Sequence, residues 1–458
     1  MELHNKHVLV VGLGKSGVAS ALFLKSRGAR VTVSDSKPEA ELRDEILLLL
    51  EHGITVETGG HGERTFRGQD LIVVSPGVPL DAPQLVSARN LGEPVVIIGE
   101  IELASQFLAG QIVAITGANG KTTTTSLAGE IIAAGNFPTL VGGNIGTPAI
   151  SFVDQAGPTT WTVLEVSSFQ LETIVEFRPR IAVILNITPD HLDRHKTFDN
   201  YVNAKARIFE NQLPGDFTVL NADDPTTAGL SDRTRAQLFW FSRKKEVKKG
   251  AFVRSAHIYY RDGNTEREIM PRSEISLQGA HNLENVLAGL SIGMLAGCQP
   301  DQIRRAVRNF KAVEHRLEFV AKIAGVDYYN DSKATNVDAT IKALESFPAN
   351  IHLILGGKDK GSDYTVLHEL LRQRVKRVYT IGAAAAKIES QIKDAVEIDH
   401  AETLETAVRR ANESAVAGDV VLLAPACASF DQFQSYEHRG RVFKELVRSF
   451  GLANGSTQ

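Results

Sequence analysis

At 458 residues the chain is too long for one ordinary core, and two to four domains are expected. A hydrophobic content of 43% with 23% charged residues is that of a soluble globular protein, and a net charge of −4 argues against a general nucleic-acid binder. Cys298 and Cys427 are the only cysteines, which excludes a disulfide framework and a cysteine-based zinc centre.

The opening MELHNKHVLVVG carries an acid and runs straight into a strand, unlike a signal peptide. No apolar run approaches the roughly 18 residues of a membrane span, so a cytoplasmic protein is expected. Residues 7–11 predict a strand that leads into Gly12-Leu13-Gly14-Lys15-Ser16-Gly17, a full G-x-G-x-x-G. A helix follows with Val18, Leu22 and Leu24 inward, and Gly28 stands where a left-handed residue stops it. The next strand, 30–33, closes on Asp35. Strand, glycine turn, helix and an acid about twenty residues on make the dinucleotide fingerprint. On its own it serves NAD, another nucleotide, or only close helix–strand packing. Further strands are predicted at 54–57, 71–75 and 95–98. Ser75-Pro76-Gly77 ends the second of these, at the edge where open α/β sheets bind ligands. A first domain closes near residue 98.

A helical segment at 101–107 precedes the most telling stretch, Gln111 to Thr125, QIVAITGANGKTTTT. An apolar strand at 112–115 meets Gly117-Ala118-Asn119-Gly120-Lys121-Thr122, then a helix with Leu127, Ile131 and Ile132 at its spacing. Gly117 and Gly120 let backbone N–H groups converge on phosphate oxygens, Lys121 adds a mobile charge, and the Thr122 hydroxyl can ligate Mg²⁺. The usual first glycine is replaced by Ile115, so the loop is a variant. Four threonines in a first helical turn reflect a site rather than helix propensity. These residues predict a nucleoside triphosphate site.

Gly142-Gly143-Asn144-Ile145-Gly146 is a second glycine loop with an amide at its centre. The predicted strand at 162–166 buries Glu165, and a carboxylate inside an apolar strand is costly unless a cation meets it; Mg²⁺ fits. A strand at 181–187 leads to Thr188-Pro189-Asp190-His191-Leu192-Asp193, with His191 and the acids at its carboxyl end. In the next helix Phe198, Tyr201, Val202, Ile208 and Phe209 form an apolar stripe, and Lys205 falls on it. A lysine there either snorkels out to water or is desolvated with a lowered pKa. Both remain open at this level; a neutral amine can take up CO2 as a carbamate, a metal-binding carboxylate.

Residues 216–278 are expected to be β-rich, with the basic run 243–249 as a solvated loop or hairpin. Gly279-Ala280-His281-Asn282-Leu283-Glu284-Asn285 starts a helix whose two asparagines share a face and can bond a planar heterocycle. A third domain begins near 313, with strands at 326–330, 351–355, 378–381, 396–398 and 420–423. Helices alternate with them; one takes Asn336 as N-cap and Val337, Ile341 and Leu344 as its inward face. A helix is expected to start at 383–386, and residues 454–458 read as a frayed tail.

The runs TGANGKTT, GGNIG, LEVSSFQLE, TPDHLDRH, GAHNLEN, EHR, NDSKATN and ACASFDQF together resemble the Mur ligase family, in family order and across nearly the whole chain. The resemblance implies an α/β protein of three domains. They are an N-terminal Rossmann-like domain (1–98), a central P-loop domain with a mixed, largely parallel sheet (99–312) and a C-terminal doubly wound domain (313–458). LEVSSFQLE, NDSKATN and ACASFDQF are similar to the branch that adds D-glutamate to UDP-N-acetylmuramoyl-L-alanine, a cytoplasmic step of bacterial peptidoglycan synthesis. The implied reaction is ATP-driven amide formation through an acyl phosphate, in a monomer acting on small molecules, with no nucleic acid or membrane partner.

By the same resemblance Lys121 meets the phosphates, with Gly117, Asn119, Gly120, Thr122 and Thr123 around it. Thr122 and Glu165 match a first Mg²⁺ site, and His191 with a carbamylated Lys205 a second. Asn282, Asn285, Arg316 and Asp331 match nucleotide contacts on both sides of a domain cleft. Lys15, Ser16, Asp35, Ser36, Lys37, Ser75, Gly77 and Asn144 match the uridine-nucleotide substrate site, which replaces the NAD reading. Lys333, Thr335, Lys360, Ser429 and Tyr436 match the D-glutamate pocket, Tyr436 standing where the family carries phenylalanine. The DNPR-type run of the diamino-acid-adding sibling is absent.

Overall fold

Three sets of apolar strands build three sheets, each from one continuous stretch of chain, in the computed structural model, which describes residues 1–90, 95–263, 265–277, 279–311 and 313–454. Of the tail expected at 454–458, only Asn454 is among these, as the last residue of the Tyr436–Asn454 helix. Ala312, at the expected second boundary, lies outside them. The described chain forms two compact units, Met1–Glu274 with Asn285–Arg308, and Ile275–Glu284 with Asn309–Gln458.

The first sheet holds β1 (His7–Val11), β2 (Arg30–Ser34), β3 (Thr55–Glu57), β4 (Leu71–Val74) and β5 (Val96–Gly99), all parallel in the order β3-β2-β1-β4-β5. Alternation along β1 explains why it is apolar throughout. Val8 and Val10 enter one core, while Leu9 and Val11 enter another with Phe66, Ile72 and Leu85. The helix Lys15–Ser26 packs the expected Val18, Leu22 and Leu24 against the core, together with further residues. Gly17, Ser20, Ala21, Phe23 and Leu24 are buried, and Val18 and Leu22 are half-buried. A Cβ on Gly17 would lie 1.8 Å from the Gly12 carbonyl oxygen, so the helix turns its small residues to the strand–turn junction. Gly28 ends that helix region at φ +80°, as expected.

The second sheet comprises β6 (Gln111–Thr116), β7 (Thr139–Gly143), β8 (Trp161–Glu165), β9 (Ile181–Ile184), β10 (Phe217–Asn221), β11 (Gln237–Ser242), β12 (Gly250–Arg254), β13 (His257–Asp262) and β14 (Thr265–Pro271). Their order is β14-β13-β12-β11-β10-β9-β6-β8-β7; pairing is parallel from β7 to β12 and antiparallel over the last two pairs. The basic run 243–249 connects parallel β11 and β12 as a loop, with only Val247 buried. One continuous core runs from Val8 and Val33 of the first sheet to Ile184 and Leu220 of the second.

The second unit carries β15 (Glu318–Ile323), β16 (Val326–Asn330), β17 (Ile351–Gly356), β18 (Val375–Ile381), β19 (Glu397–Glu402) and β20 (Val420–Leu423) in the order β15-β16-β20-β17-β18-β19. Five strands are parallel, and β15 pairs antiparallel on the edge through a bulge. No strand was expected at β15. As an edge strand it buries only Ile323 and leaves Phe319 exposed, so its sequence carries no clear alternation. Asn336 caps the Val337–Glu345 helix by accepting from the Ala339 N–H at 2.8 Å, as its position predicts. Thr340, Ala343 and Leu344 are that helix's buried residues; Val337 and Ile341 are half-buried against the same core.

Glu100 opens the helix Glu100–Ser105 directly after β5 and is 1% exposed. Its carboxylate accepts the Ile150 N–H at 2.7 Å, and Oε2 has no hydrogen-bond partner. Burial pushes its pKa from 4.5 up to about 7, against the pull of the Ile150 and Ala149 amides. The folded value lies above the unfolded one, so folding favours the neutral acid. This contribution is complete below about pH 4.5 and is lost as pH rises through about 7. The loss is on the order of 3 kcal/mol at most. Urea unfolding at pH 5 and pH 8.5 should show a smaller stability difference in Glu100→Gln than in the parent; equal differences would contradict the assignment.

Candidate active site

The Lys121–Ala134 helix begins at Gly120, which has φ +83° and no capping side chain. A Cβ there would lie 2.2 Å from Asn285 Oδ1, so both conformation and space demand glycine. Gly120 offers no side-chain cap, and the N–H groups of a first helical turn have no acceptor within the helix, which suits an anion. The Lys121 ammonium donates to the carbonyls of Gly117 and Ala118, each at 2.9 Å, so it folds back over its own loop. Asn186, just past β9, clamps that loop: its Oδ1 accepts from Asn119 N–H at 2.8 Å and its Nδ2 donates to the Asn119 carbonyl at 3.1 Å. The Asn186 carbonyl also accepts from Ala118 N–H at 2.8 Å. The strand expected over 181–187 stops at Ile184, leaving Asn186 clear of the ladder to make this clamp.

Glu165 ends β8 and is 2% exposed. It accepts from the Thr122 hydroxyl at 2.8 Å and from Asn144 Nδ2 at 3.0 Å. One buried carboxylate beside a hydroxyl at the phosphate loop is a hard-oxygen set that fits Mg²⁺, an ion that takes one or two carboxylates and completes its shell with phosphates and water. Thr122 to Thr125 are all buried. Thr122 reaches Glu165, Thr124 reaches Asn285 Oδ1 at 3.2 Å, and Thr125 Oγ1 has no hydrogen-bond partner. Asn282, one turn before Asn285 on the Ala280–Leu295 helix, is buried.

Lys205 is 2% exposed, which rules out snorkelling. Its Nζ donates to the Gly117 carbonyl at 2.8 Å, lies 3.4 Å from Thr116 Oγ1, and sits 4.7 Å from the centre of the Tyr201 ring. Burial, then the charge of Lys121, hold its pKa well below the ordinary 10.5; Asp190 and Glu165 oppose this. That environment favours the neutral amine that carbamylation requires. His191 is exposed at φ +54°, its ring edge-on to Phe169 with centres 5.0 Å apart and its Nε2 3.7 Å from Asp190. The Asp193 side chain lies outside the described residues. His195 is the buried histidine of this turn, within 2.9 Å of Ser168 Oγ and 3.3 Å of Glu172.

In the first sheet, the fingerprint acid is engaged with backbone. Asp35 Oδ2 accepts from Leu13 N–H at 2.6 Å and Oδ1 from Lys37 N–H at 2.8 Å, so this carboxylate ties the glycine turn to the 35–37 turn. Ser75 donates to the Gly12 carbonyl at 3.0 Å. Ser36, Lys37 and Gly77 are exposed around these turns, and Ser16 is half-buried. Lys15 lines a groove of about 640 Å³ between its own helix and residues 146–154.

In the second unit, Leu317 N–H donates to Asp331 Oδ1 at 3.2 Å, which joins the turn of Arg316 to the end of β16. Burial raises the Asp331 pKa to about 6, opposed by the Arg316 charge. The Lys333 ammonium lies 5.0 Å from the centre of the Tyr436 ring. Thr335 is half-buried; its N–H donates to the Lys333 carbonyl at 2.8 Å. Buried Ser429 and exposed Lys360 stand on adjacent loops, stapled by paired backbone bonds between Lys358 and Ala428. Arg439, fully buried, donates to Ser332 Oγ and to the Ser332 and Cys427 carbonyls, holding the loops of Lys333 and Ser429 together.

Family models match three stretches: the Mur ligase MurD-like N-terminal domain at 6–97, the Mur ligase middle domain at 115–293 and the Mur ligase glutamate ligase domain at 315–427. The chain is 68% identical over 448 residues to the UDP-N-acetylmuramoylalanine–D-glutamate ligase of Koribacter versatilis, covering 98% of each. The chain belongs to the Mur ligase family. The enzyme of the same name from Acidobacterium capsulatum is 60% identical over 450 residues, covering 98% of this chain and 97% of that one. Among solved Mur ligases, UDP-N-acetylmuramate–alanine ligase from Thermotoga maritima shares the fold at TM-score 0.58 and 21% identity, over 97% of this chain and 100% of that one.

For a Mur ligase, the residues that sequence reasoning missed are Asn186, His195, Arg194 and Arg439, all of which act on the backbone or side chains of site segments. Asn186, at the end of a buried apolar run, could have been flagged by that placement; Arg194, His195 and Arg439 lie in polar stretches that carry no such signal. Among the described residues, Glu314, His315 and Glu318 form the one acidic-histidine cluster with metal-like spacing. Lys444 pairs with both glutamates there, so one of the two carboxylate charges is already balanced by the protein itself.

Proposed function

We propose that this Mur ligase joins D-glutamate to UDP-N-acetylmuramoyl-L-alanine at the expense of ATP, acting as a cytoplasmic monomer in peptidoglycan synthesis. The observation that carries the reading is the 68% identity to a ligase of that name across 98% of both chains. The alanyl carboxylate attacks the γ-phosphorus, forming an acyl phosphate and releasing ADP. The D-glutamate amine then attacks the acyl carbon, the amide forms, and phosphate leaves with the C–O bond electrons.

The barrier is charge repulsion, because a carboxylate must approach three phosphate oxygens. Lys121 leaves the Gly117 and Ala118 carbonyls for the phosphates, and the helix N-terminus behind it adds aligned N–H groups. Thr122 and Glu165 would hold one Mg²⁺, and His191 with carbamylated Lys205 a second; bound there, the ions neutralise the developing charge. Asn144 bonds Glu165 and holds it in place. The first-domain turns at 12–17, 35–37 and 75–77 take the uridine nucleotide, and Asn282, Asn285, Arg316 and Asp331 the ATP.

Selection of the amino acid is assigned to Lys333, Thr335, Lys360, Ser429 and Tyr436. Lys333 and Lys360 stand at the ends of different strands, so they can hold two carboxylates apart while Thr335 and Ser429 add directional hydrogen bonds. L-Glutamate satisfies both lysines only with its amine displaced, and about 1 Å of misplacement costs on the order of 100-fold in rate. ADP formation measured against a panel of L- and D-amino acids should respond to D-glutamate alone. Lys360→Ala should raise the KM for D-glutamate with that for ATP unchanged. Equal use of L-glutamate or a diamino acid would overturn the member assignment.

A further inference from the structure

Arg194 lies on the turn that carries His191, and its side chain is only 20% exposed. Its Nη2 donates to the carbonyl of Val78 at 3.0 Å, across 116 residues of sequence. Val78 closes the Ser75-Pro76-Gly77 turn: its N–H bonds the Ser75 carbonyl, and its side chain lies against Gly12 of the glycine turn. The same guanidinium pairs with Glu172 at 3.3 Å and lies 5.3 Å from the centre of the Phe169 ring. Phe169 in turn packs against His191 and His195, and Glu172 also reaches His195 Nδ1. Phe169 and Glu172 belong to the segment that leaves β8 just after Glu165.

One planar side chain thus touches the first-domain turn, the segment after Glu165 and the turn of His191. We propose that Arg194 is a positioning residue that registers the substrate-binding turn of the first domain on the phosphate-transfer site. Its identity is demanded by geometry, since an arginine can stack on Phe169 while donating in its own plane to two acceptors. Lysine, a point charge on a flexible stem, meets these demands only in part. The uridine-substrate arm of this inference rests on the proposed function; the physical link between the two turns does not.

Two measurements separate them. In the ligand-free protein, Arg194→Met should speed amide hydrogen exchange both at 75–78 and at 188–196 while leaving the phosphate loop at parental rates. Arg194→Lys should fall between. Parental exchange at 75–78 in both variants would overturn the link, whatever the substrate. In turnover, the KM for UDP-N-acetylmuramoyl-L-alanine should rise and kcat should fall by about 10- to 100-fold. The KM for D-glutamate should stay within twofold, and lysine should recover part of the loss. A uniform loss of active protein with all KM values unchanged would mean a merely structural role. Faster exchange in both turns, with a parent enzyme that does not turn over this substrate, would uphold the link and overturn the functional reading instead.

Discussion

Lys121→Ala should lower ADP formation on the order of 100- to 1,000-fold, the cost of removing one charge-stabilising donor from a transition state. Its melting temperature should stay close to that of the parent. In the ligand-free protein the ammonium bonds the neutral Gly117 and Ala118 carbonyls of its own loop, and a neutral acceptor that loses such a donor costs about 1 kcal/mol. The substitution has a second consequence at Lys205. The Lys121 charge helps to depress the Lys205 pKa, so removing it favours the protonated amine and disfavours carbamate. Labelled bicarbonate should therefore report less carbamate in Lys121→Ala than in the parent. Turnover within a few-fold of parental with unchanged melting would refute the role given to this loop.

Lys205→Ala should be nearly inactive and should recover in part with acetate or formate, small carboxylates able to stand where the carbamate would. The Lys205 Nζ is buried beside the Gly117 carbonyl and the Tyr201 ring, where a charged ammonium is disfavoured and a neutral amine persists. CO2 adds to that amine with loss of one proton, giving an anionic carbamate next to the phosphate loop. A carbon-13 carbamate signal from labelled bicarbonate should be present in the parent and absent in the variant. The sign of the pH effect is also set. The folded pKa lies below the unfolded 10.5, so stability rises with pH across the window between them, and Lys205→Met should flatten that slope. An active alanine variant indifferent to bicarbonate and carboxylates would remove the carbamate from the mechanism.

Most strands were legible because buried parallel strands are short apolar runs bounded by turn residues, as at β1, β4 and β20. The edge strand β15 was not, because it buries one residue in six. Loop chemistry was legible where backbone geometry admits few residue types. Gly120 must be glycine both for its φ and for the space taken by Asn285, and Asn336 has the oxygen that its helix start needs.

The sequence by itself determined the phosphate loop, the α/β alternation and the register of site motifs along the chain, since these depend on conformation within a few residues. Only the tertiary structure decided what lies beyond each face. Helical spacing put Lys205 on an apolar stripe, but whether water or protein covered that stripe was set by the Gly117 carbonyl, 88 residues away in the chain. Likewise the spacing that marks Asp35 as a ribose acid is silent on its engagement with the Leu13 and Lys37 amides. Asn186 and Arg194 left no periodic trace at all, because each bonds a backbone group 67 or 116 residues distant. Such a contact depends on how strands and turns are brought together in space, and a polar residue reads the same in sequence whether it meets solvent or holds a site in place.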